Sequence, residues 1–226
     1  MKTKKGLIAV IAVILIVMGI LVGMVLTRDF DAEKYVSVVL DQTFRGEVTG
    51  ATEIIEGVTE EELYQQYEAG VTAFVKNNII SGVEVDAETE AKFIELGKNI
   101  FASMKYEITG VEKVSRDEYN VKVNYQASDV FLKYIEYIAG ESQRITDKVE
   151  AGEYKGTVDE INAQMEAEFL ASAYTLLEQA YTNMEFGEAA EMEFVVKVGA
   201  TELYQVREDE LQKLMVKIMR LDEIQD

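Results

Sequence analysis

The chain has no histidine, no cysteine, no tryptophan and no proline. Each absence closes a route to function. Without histidine and cysteine there can be no Ser-His-Asp triad, no Cys-His pair and no zinc site of the Cys/His type. Without cysteine no disulfide forms, thiol redox chemistry is closed, and a lipoprotein signal has no residue to carry its lipid. The ring on which sugar binders commonly stack is missing with tryptophan. Neither G-x-G-x-x-G nor G-x-x-x-x-G-K-[ST] occurs, so dinucleotide and P-loop phosphate cradles have no candidate. The calcium loop D-x-[DN]-x-[DN]-G is missing as well. No catalytic, metal or cofactor set therefore emerges, and no cofactor is expected. Linkers are also scarce, because no glycine or serine run is long enough for a flexible tether.

Positive charge is the other scarce commodity. The chain carries 22 Lys and Arg against 42 Asp and Glu. Three of the lysines lie before residue 28 and no acid does, so residues 28–226 hold 19 bases and 42 acids, a net −23. Such a surface is repelled by phosphate backbones and by anionic lipid headgroups, which argues against a nucleic-acid partner. Its plain effect is solubility.

What is present begins with an apolar run. Leu7 to Leu26 is twenty consecutive positions without a charged or hydrogen-bonding side chain. At a rise of 1.5 Å per residue, about 20 residues cross a hydrocarbon core of about 30 Å. Lys2, Lys4 and Lys5 precede the run and Arg28 and Asp29 follow it, which predicts a cytoplasmic N-terminus and an extracellular remainder. A cleaved signal would have a shorter apolar region and a small-x-small site, whereas this run ends Val25, Leu26, Thr27, Arg28. The expectation is a single-pass membrane protein: anchor 1–27, extracytoplasmic domain 28–226. Gly19 and Gly23 make a G-x-x-x-G inside the anchor, a helix-pairing motif that arises easily by chance in such segments.

The 199 residues after the anchor can bury about 70% of their unfolded surface without staples. Helix starts are legible. Asp31 opens a helix to Arg45 that stops at Gly46; Thr59 to Glu62 and Thr157 to Glu160 are capping boxes; Asp86 caps another. Further helices span about Asp129 to Lys148 and Glu208 to Leu221, where Glu208, Asp209 and Glu210 suit a helix start. Tyr119, Val121, Val123 and Tyr125 alternate with Asn120, Lys122, Asn124 and Gln126, the mark of a half-buried strand. The run Tyr106 to Val111 pairs with it through a turn at Arg116-Asp117. A second hairpin joins Met192 to Val198 with Glu202 to Val206, turning at Gly199-Ala200. The fold class is α+β: two hairpins separated by a helix pair, with helices packed on one face of a small antiparallel sheet.

Carboxylates, lysines, tyrosines and hydroxyls remain for function. Two carboxylates about 5–9.5 Å apart suffice for a glycosidase, but 42 acids give many accidental pairs, and most read as caps or solvated faces. Tyr119 and Tyr125 share a strand face, with Tyr134 and Tyr137 on the next helix; these four are the candidate lining of a ligand pocket, against the ordinary alternative of core.

The stretch Tyr35-Val36, Leu40-Asp41 and Phe44-Arg45-Gly46, then Gly57-Val58-Thr59-Glu60-Glu61-Glu62 and Tyr67-Glu68, resembles uncharacterised cell-surface lipoproteins of clostridia and related Gram-positive bacteria. The resemblance covers most of residues 31–221. It implies a variant of the nuclear-transport-factor-2-like cone, a curved sheet wrapping long helices around a pocket. Those proteins carry a lipidated cysteine where this chain has Leu7–Leu26, and the family supplies no activity. The functional expectation is a membrane-anchored extracytoplasmic domain that binds an unknown small molecule or protein. The alternatives are a carboxylate-dependent hydrolase of envelope polymers and a structural subunit of a membrane complex.

Overall fold

Four helices begin on side-chain oxygens placed to receive free amides. The computed structural model describes residues 24–25, 30–54, 58–81, 83, 85–198 and 203–224. In it the Asp31 carboxylate takes the Lys34 amide at 3.0 Å and opens α1 (Ala32–Arg45). Thr59 and Glu62 form the reciprocal capping box of α2 (Glu60–Asn78). Asp86 takes the Glu88 and Thr89 amides, both at 2.9 Å, to start α3 (Ala87–Ala102). Thr157 and Glu160 repeat the box at α5 (Val158–Thr182), which follows α4 (Val130–Glu150). The closing helix α6 covers Glu208–Ile218, and a short 3-10 turn follows at Leu221–Glu223. Helix α1 stops where predicted: Gly46 sits in the left-handed region at φ 64°, and a Cβ there would stand 2.5 Å from the Tyr67 ring.

The strands are β1 (Met24–Val25), β2 (Lys105–Ser115), β3 (Glu118–Ser128), β4 (Phe186–Val198) and β5 (Leu203–Val206). They form one antiparallel sheet in the order β1-β5-β4-β3-β2. Arg116 and Asp117 make the two-residue turn between β2 and β3. The predicted Gly199-Ala200 turn lies outside the described residues, but the pairs Val196–Val206 and Val198–Tyr204 fix the second hairpin. The hairpins are joined side by side through β3 and β4, from Glu118–Lys197 to Ser128–Phe186. Strand β4 begins six residues before the predicted Met192. Gly187 to Glu191 is poor in strand formers and does not alternate; pairing with Tyr125 and Gln126 makes it a strand.

One face of the sheet is dry. Tyr119, Val121, Val123, Phe194 and Val196 are buried on it, beneath α1 and α6. Helices α2 and α3 pack behind α1, closely enough that a Cβ at Gly97 would lie 2.9 Å from Val75. The opposite face is polar and open, with Lys122 paired to Glu191 at 3.3 Å across two strands. Such one-sided burial is what an antiparallel sheet permits. Helices α4 and α5 make an antiparallel hairpin of 21 and 25 residues, about 31 and 37 Å long. At its base the Asp129 amide donates to the Glu185 carbonyl at 3.1 Å, and the Glu185 amide donates to the Asp129 carboxylate at 2.7 Å. Its outer part keeps one fully buried apolar residue on α4, Ile145.

The predicted anchor from Leu7 to Leu26, with Gly19 and Gly23, lies outside the described residues except for Met24 and Val25. Those two are not the last turn of a membrane helix: they pair with Tyr204 and Leu203 as the edge strand β1. Apolar residues suit either state, and the sheet edge offers their backbone groups partners. Among the described residues no helix is long and apolar enough to cross a membrane.

Val121 is fully buried between Val111 and Phe194, whereas the neighbouring Lys122 is exposed. Val121→Asp should unfold the body, because an unpaired buried carboxylate costs several kcal/mol against a total stability of about 5–15 kcal/mol. Lys122→Asp loses one exposed ion pair and should stay within about 1 kcal/mol of the parent. Urea melts of both variants check this, and equal midpoints would refute the register.

Candidate functional site

The four candidate tyrosines occupy different settings. Tyr119 belongs to an aromatic cluster where the chain joins the sheet. The Phe30 ring stacks on Tyr204 with centroids 3.7 Å apart and planes 12° apart. It also lies 5.3 Å from Tyr119 and 5.6 Å from Tyr35, and Tyr119 meets Tyr204 edge-on at 5.8 Å. The four rings come from the segment before α1, from α1, from β3 and from β5, so the cluster ties four elements at one point. Its polar rims are used within the protein: the Tyr204 hydroxyl donates to the Arg116 carbonyl at 3.2 Å, and the Lys113 ammonium lies 5.1 Å from the Tyr119 ring centre. Burial pushes the Tyr35 hydroxyl well above its ordinary pKa. Alternation along β3 points to Tyr119 but not to its partners Phe30 and Tyr204. Phe30 does carry a sequence signal, an aromatic just before the Asp31 cap and five residues ahead of Tyr35, the spacing of a hydrophobic staple.

Tyr125 stands six residues further along β3, about 20 Å away at strand rise. With Lys105, Tyr106, Glu107, Asn124, Gln126 and Ala189 it lines an open depression of about 310 Å³. Beneath it, Asp41 knots α1 to β2. Its carboxylate receives the Tyr106 hydroxyl at 2.8 Å, the Arg45 guanidinium at 2.5 Å and the Ser37 hydroxyl at 3.3 Å. The guanidinium also lies over the Tyr106 ring, 4.7 Å from its centre. Burial, then the bond to Asp41, drives the Tyr106 hydroxyl pKa strongly upward, so it stays a donor at any physiological pH. Tyr134 is buried in the core, where desolvation raises its pKa, and Tyr137 is half-buried against it. Of the four, Tyr125 alone lines this depression.

The other depression, about 460 Å³, lies between the first turns of α1 and strand β2. Val38 and Ile108 floor it, and Asp31, Glu33, Lys34 and Ser37 rim it. The Asp31 carboxylate is already committed to its cap, and the Lys34 ammonium reaches Glu53 at 3.1 Å. The Ser37 hydroxyl is likewise bonded to Asp41, at 3.3 Å.

On the α4–α5 arm, one carboxylate gathers the local bases. Glu168 receives the Lys148 ammonium at 2.8 and 3.1 Å, the Tyr154 hydroxyl at 2.7 Å and the Arg144 guanidinium at 2.5 Å. Arg144 also grips Glu141 through two bonds of 2.7 and 2.5 Å. Lys148, then Tyr154 and Arg144, hold the Glu168 carboxyl down at about 2, and the same contact pushes Tyr154 up to about 12. Glu210 shows the opposite behaviour. Buried where β5 ends, it takes the Val195 amide at 2.9 Å, and desolvation raises its pKa. Among the described residues no group of three or more acidic side chains is arranged to hold a metal ion.

Neither a known protein family nor a curated protein sequence matches the chain. Among solved structures the chain is similar to that of YcdA from Bacillus subtilis subsp. subtilis, a candidate lipoprotein, with a TM-score of 0.50 and 16% sequence identity. The likeness covers 83% of this chain and 55% of the YcdA chain, so the protein spans about half the length of its structural neighbour. What the two share is the fold.

The two carboxylates make opposed pH predictions. Glu168 has a folded pKa near 2, below its ordinary 4.5, so its contribution is full above 4.5 and is lost as pH falls towards 2. Glu168→Gln should therefore loosen the arm at neutral pH and match the parent at the acid limit. Glu210 has a raised pKa, so its contribution is full in acid and fades as pH rises through the folded value. Glu210→Gln should gain stability relative to the parent as pH rises. Hydrogen exchange on the arm and thermal melts across the acid range read both signs.

Proposed function

We propose that this protein is a membrane-tethered binding domain, with a single-pass anchor inside residues 1–27 and the folded body that follows it displayed on the outer side of the membrane. The observation that carries the reading is the junction. The end of the apolar run belongs to the folded body: Met24 and Val25 pair with β5, and Phe30 lies against Tyr119 and Tyr204. If the anchor helix ends where β1 begins, Leu7 to Gly23 leaves seventeen residues, at the short end of the ~17–25 that span a bilayer. The three lysines before the run give the orientation. The fold likeness to a candidate lipoprotein supports the same address. This chain has no cysteine for a thioether lipid, so the apolar run takes the role of the anchor.

On this reading the sheet and its helices are a variant of the nuclear-transport-factor-2-like cone, used for binding. Tyr125, beside Tyr106 in its depression, is the ligand contact among the four tyrosines that the packing leaves reachable. Binding ranks above envelope-polymer hydrolysis because Asp31, an acid at the larger depression, is occupied as a helix cap.

In a cysteine-free chain, single cysteines report topology directly. A membrane-impermeant thiol reagent on intact cells should label Thr201→Cys and spare Thr3→Cys. Labelling of Thr3→Cys alone would overturn the orientation, and release of the protein by carbonate washing would overturn the anchor.

A further inference from the structure

We infer that the free edge of β2, together with the groove between β2 and α1, is a docking site for an extended basic segment of another protein, which adds to the sheet as a further strand. The sheet order leaves β2 as an edge along its eleven residues, with no neighbour on its outer side among the described residues. An edge presents backbone donors and acceptors that another strand can use, and proteins usually guard it with lysines, bulges or cover. Here the lysines are drawn off. Lys105 lies over the Phe186 ring at 4.0 Å and Lys113 over the Tyr119 ring at 5.1 Å, so both serve the sheet's own aromatics. Helix α1 covers only the first half of the strand. Beyond it Val111 is 42% and Val114 51% exposed, although Val111 pairs with the fully buried Val121. Two register irregularities, between Ile108 and Gly110 and between Lys113 and Ser115, are the devices left on the edge, and the run from Gly110 to Lys113 between them pairs regularly.

The surroundings select the occupant. The groove floor of Val38 and Ile108 lies beside this strand and accepts apolar side chains from one face of an added strand. Asp31 and Glu33 rim the groove beside Lys34, whose ammonium is turned to Glu53, and β2 carries Glu107 and Glu112 beside the two lysines held over rings. An incoming segment that alternates apolar and basic residues satisfies both faces at once. A second copy of this chain is a poor occupant, since two bodies of net −23 repel each other. The inference names the partner class for the binding reading above, yet it stands on β2 alone and does not need the anchor.

The test uses the full chain in detergent micelles and two short synthetic peptides, one alternating valine with lysine and one alternating valine with glutamate. Carbonyl labelling with carbon-13 lets infrared spectroscopy separate the peptide's strand signal from the protein's. The lysine peptide should bind, show a paired-strand amide band and weaken as salt is added, while the glutamate peptide should not bind. Val111→Lys combined with Val114→Lys, two substitutions at exposed positions, should weaken binding roughly tenfold or more by guarding the edge. If that variant melts early, a lysine peptide methylated on alternate amides, tested on the parent protein, serves instead and should lose binding. No binding of the lysine peptide up to its solubility limit overturns the proposal. So does equal binding of both peptides, binding indifferent to the double variant and to amide methylation, or a dimer by light scattering that the double variant dissolves. The cysteine-labelling assay is independent of all of these, so failure here and failure of the tether are told apart.

Discussion

One dry sheet face organises the molecule. With no disulfide available and no metal-binding group among the described residues, stability has to come from burial, and the buried surface centres on Val121, Val123, Phe194 and Val196. Each large apolar side chain moved out of water contributes about 1.5–3 kcal/mol. Helix α1 is fastened to that face at both ends, by Phe30 and Tyr35 at its start and by Tyr106, Asp41 and Arg45 near its finish. Helices α2 and α3 then have a platform to pack on. The outer face needs no cover because its side chains pair with one another, as Lys122 does with Glu191 and Asn120 with Glu193.

A chain this acidic must keep its carboxylates from opposing the fold. It does so by giving many of them a local task. Asp31, Glu62, Asp86 and Glu160 receive amides at helix starts, where the helix dipole favours negative charge. Asp41 and Glu168 collect hydroxyls and cations that fasten one element to another. Glu210 instead replaces a missing strand partner, continuing the β4 edge at the point where β5 turns into α6. The remaining acids leave a net negative surface, which repels surfaces of like charge.

Local rules in the sequence carried most of the fold. Both capping boxes, the Gly46 stop and the alternation from Tyr119 to Tyr125 are short-range signals, and the structure has each where the residues announce it. Features set by distant partners were illegible. The first half of β4 looks like a loop until β3 is beside it, and Met24–Val25 reads as membrane helix until β5 offers an edge. The tyrosines illustrate the same limit. Period-two alternation put Tyr119 and Tyr125 on one face, but could not say that Phe30 and Tyr204 would fill the space around one and leave the other at a depression.

The closed base of the α4–α5 arm bears on the order of folding. Strands β3 and β4 share the longest pairing in the sheet, yet 55 residues, 130–184, separate the bonded positions Asp129 and Glu185. Closing a flexible loop of that length costs ~3.5 kcal/mol of chain entropy before any strand contact is gained. A helical hairpin forms from neighbours and needs no such closure. Once α4 and α5 zip together around Ile145 and the Glu168 cluster, their ends already stand side by side, and the long-range pairing becomes a local one. The arm is thus a spacer whose own hairpin contacts, the clasp at Glu168 among them, bring the ends of β3 and β4 together.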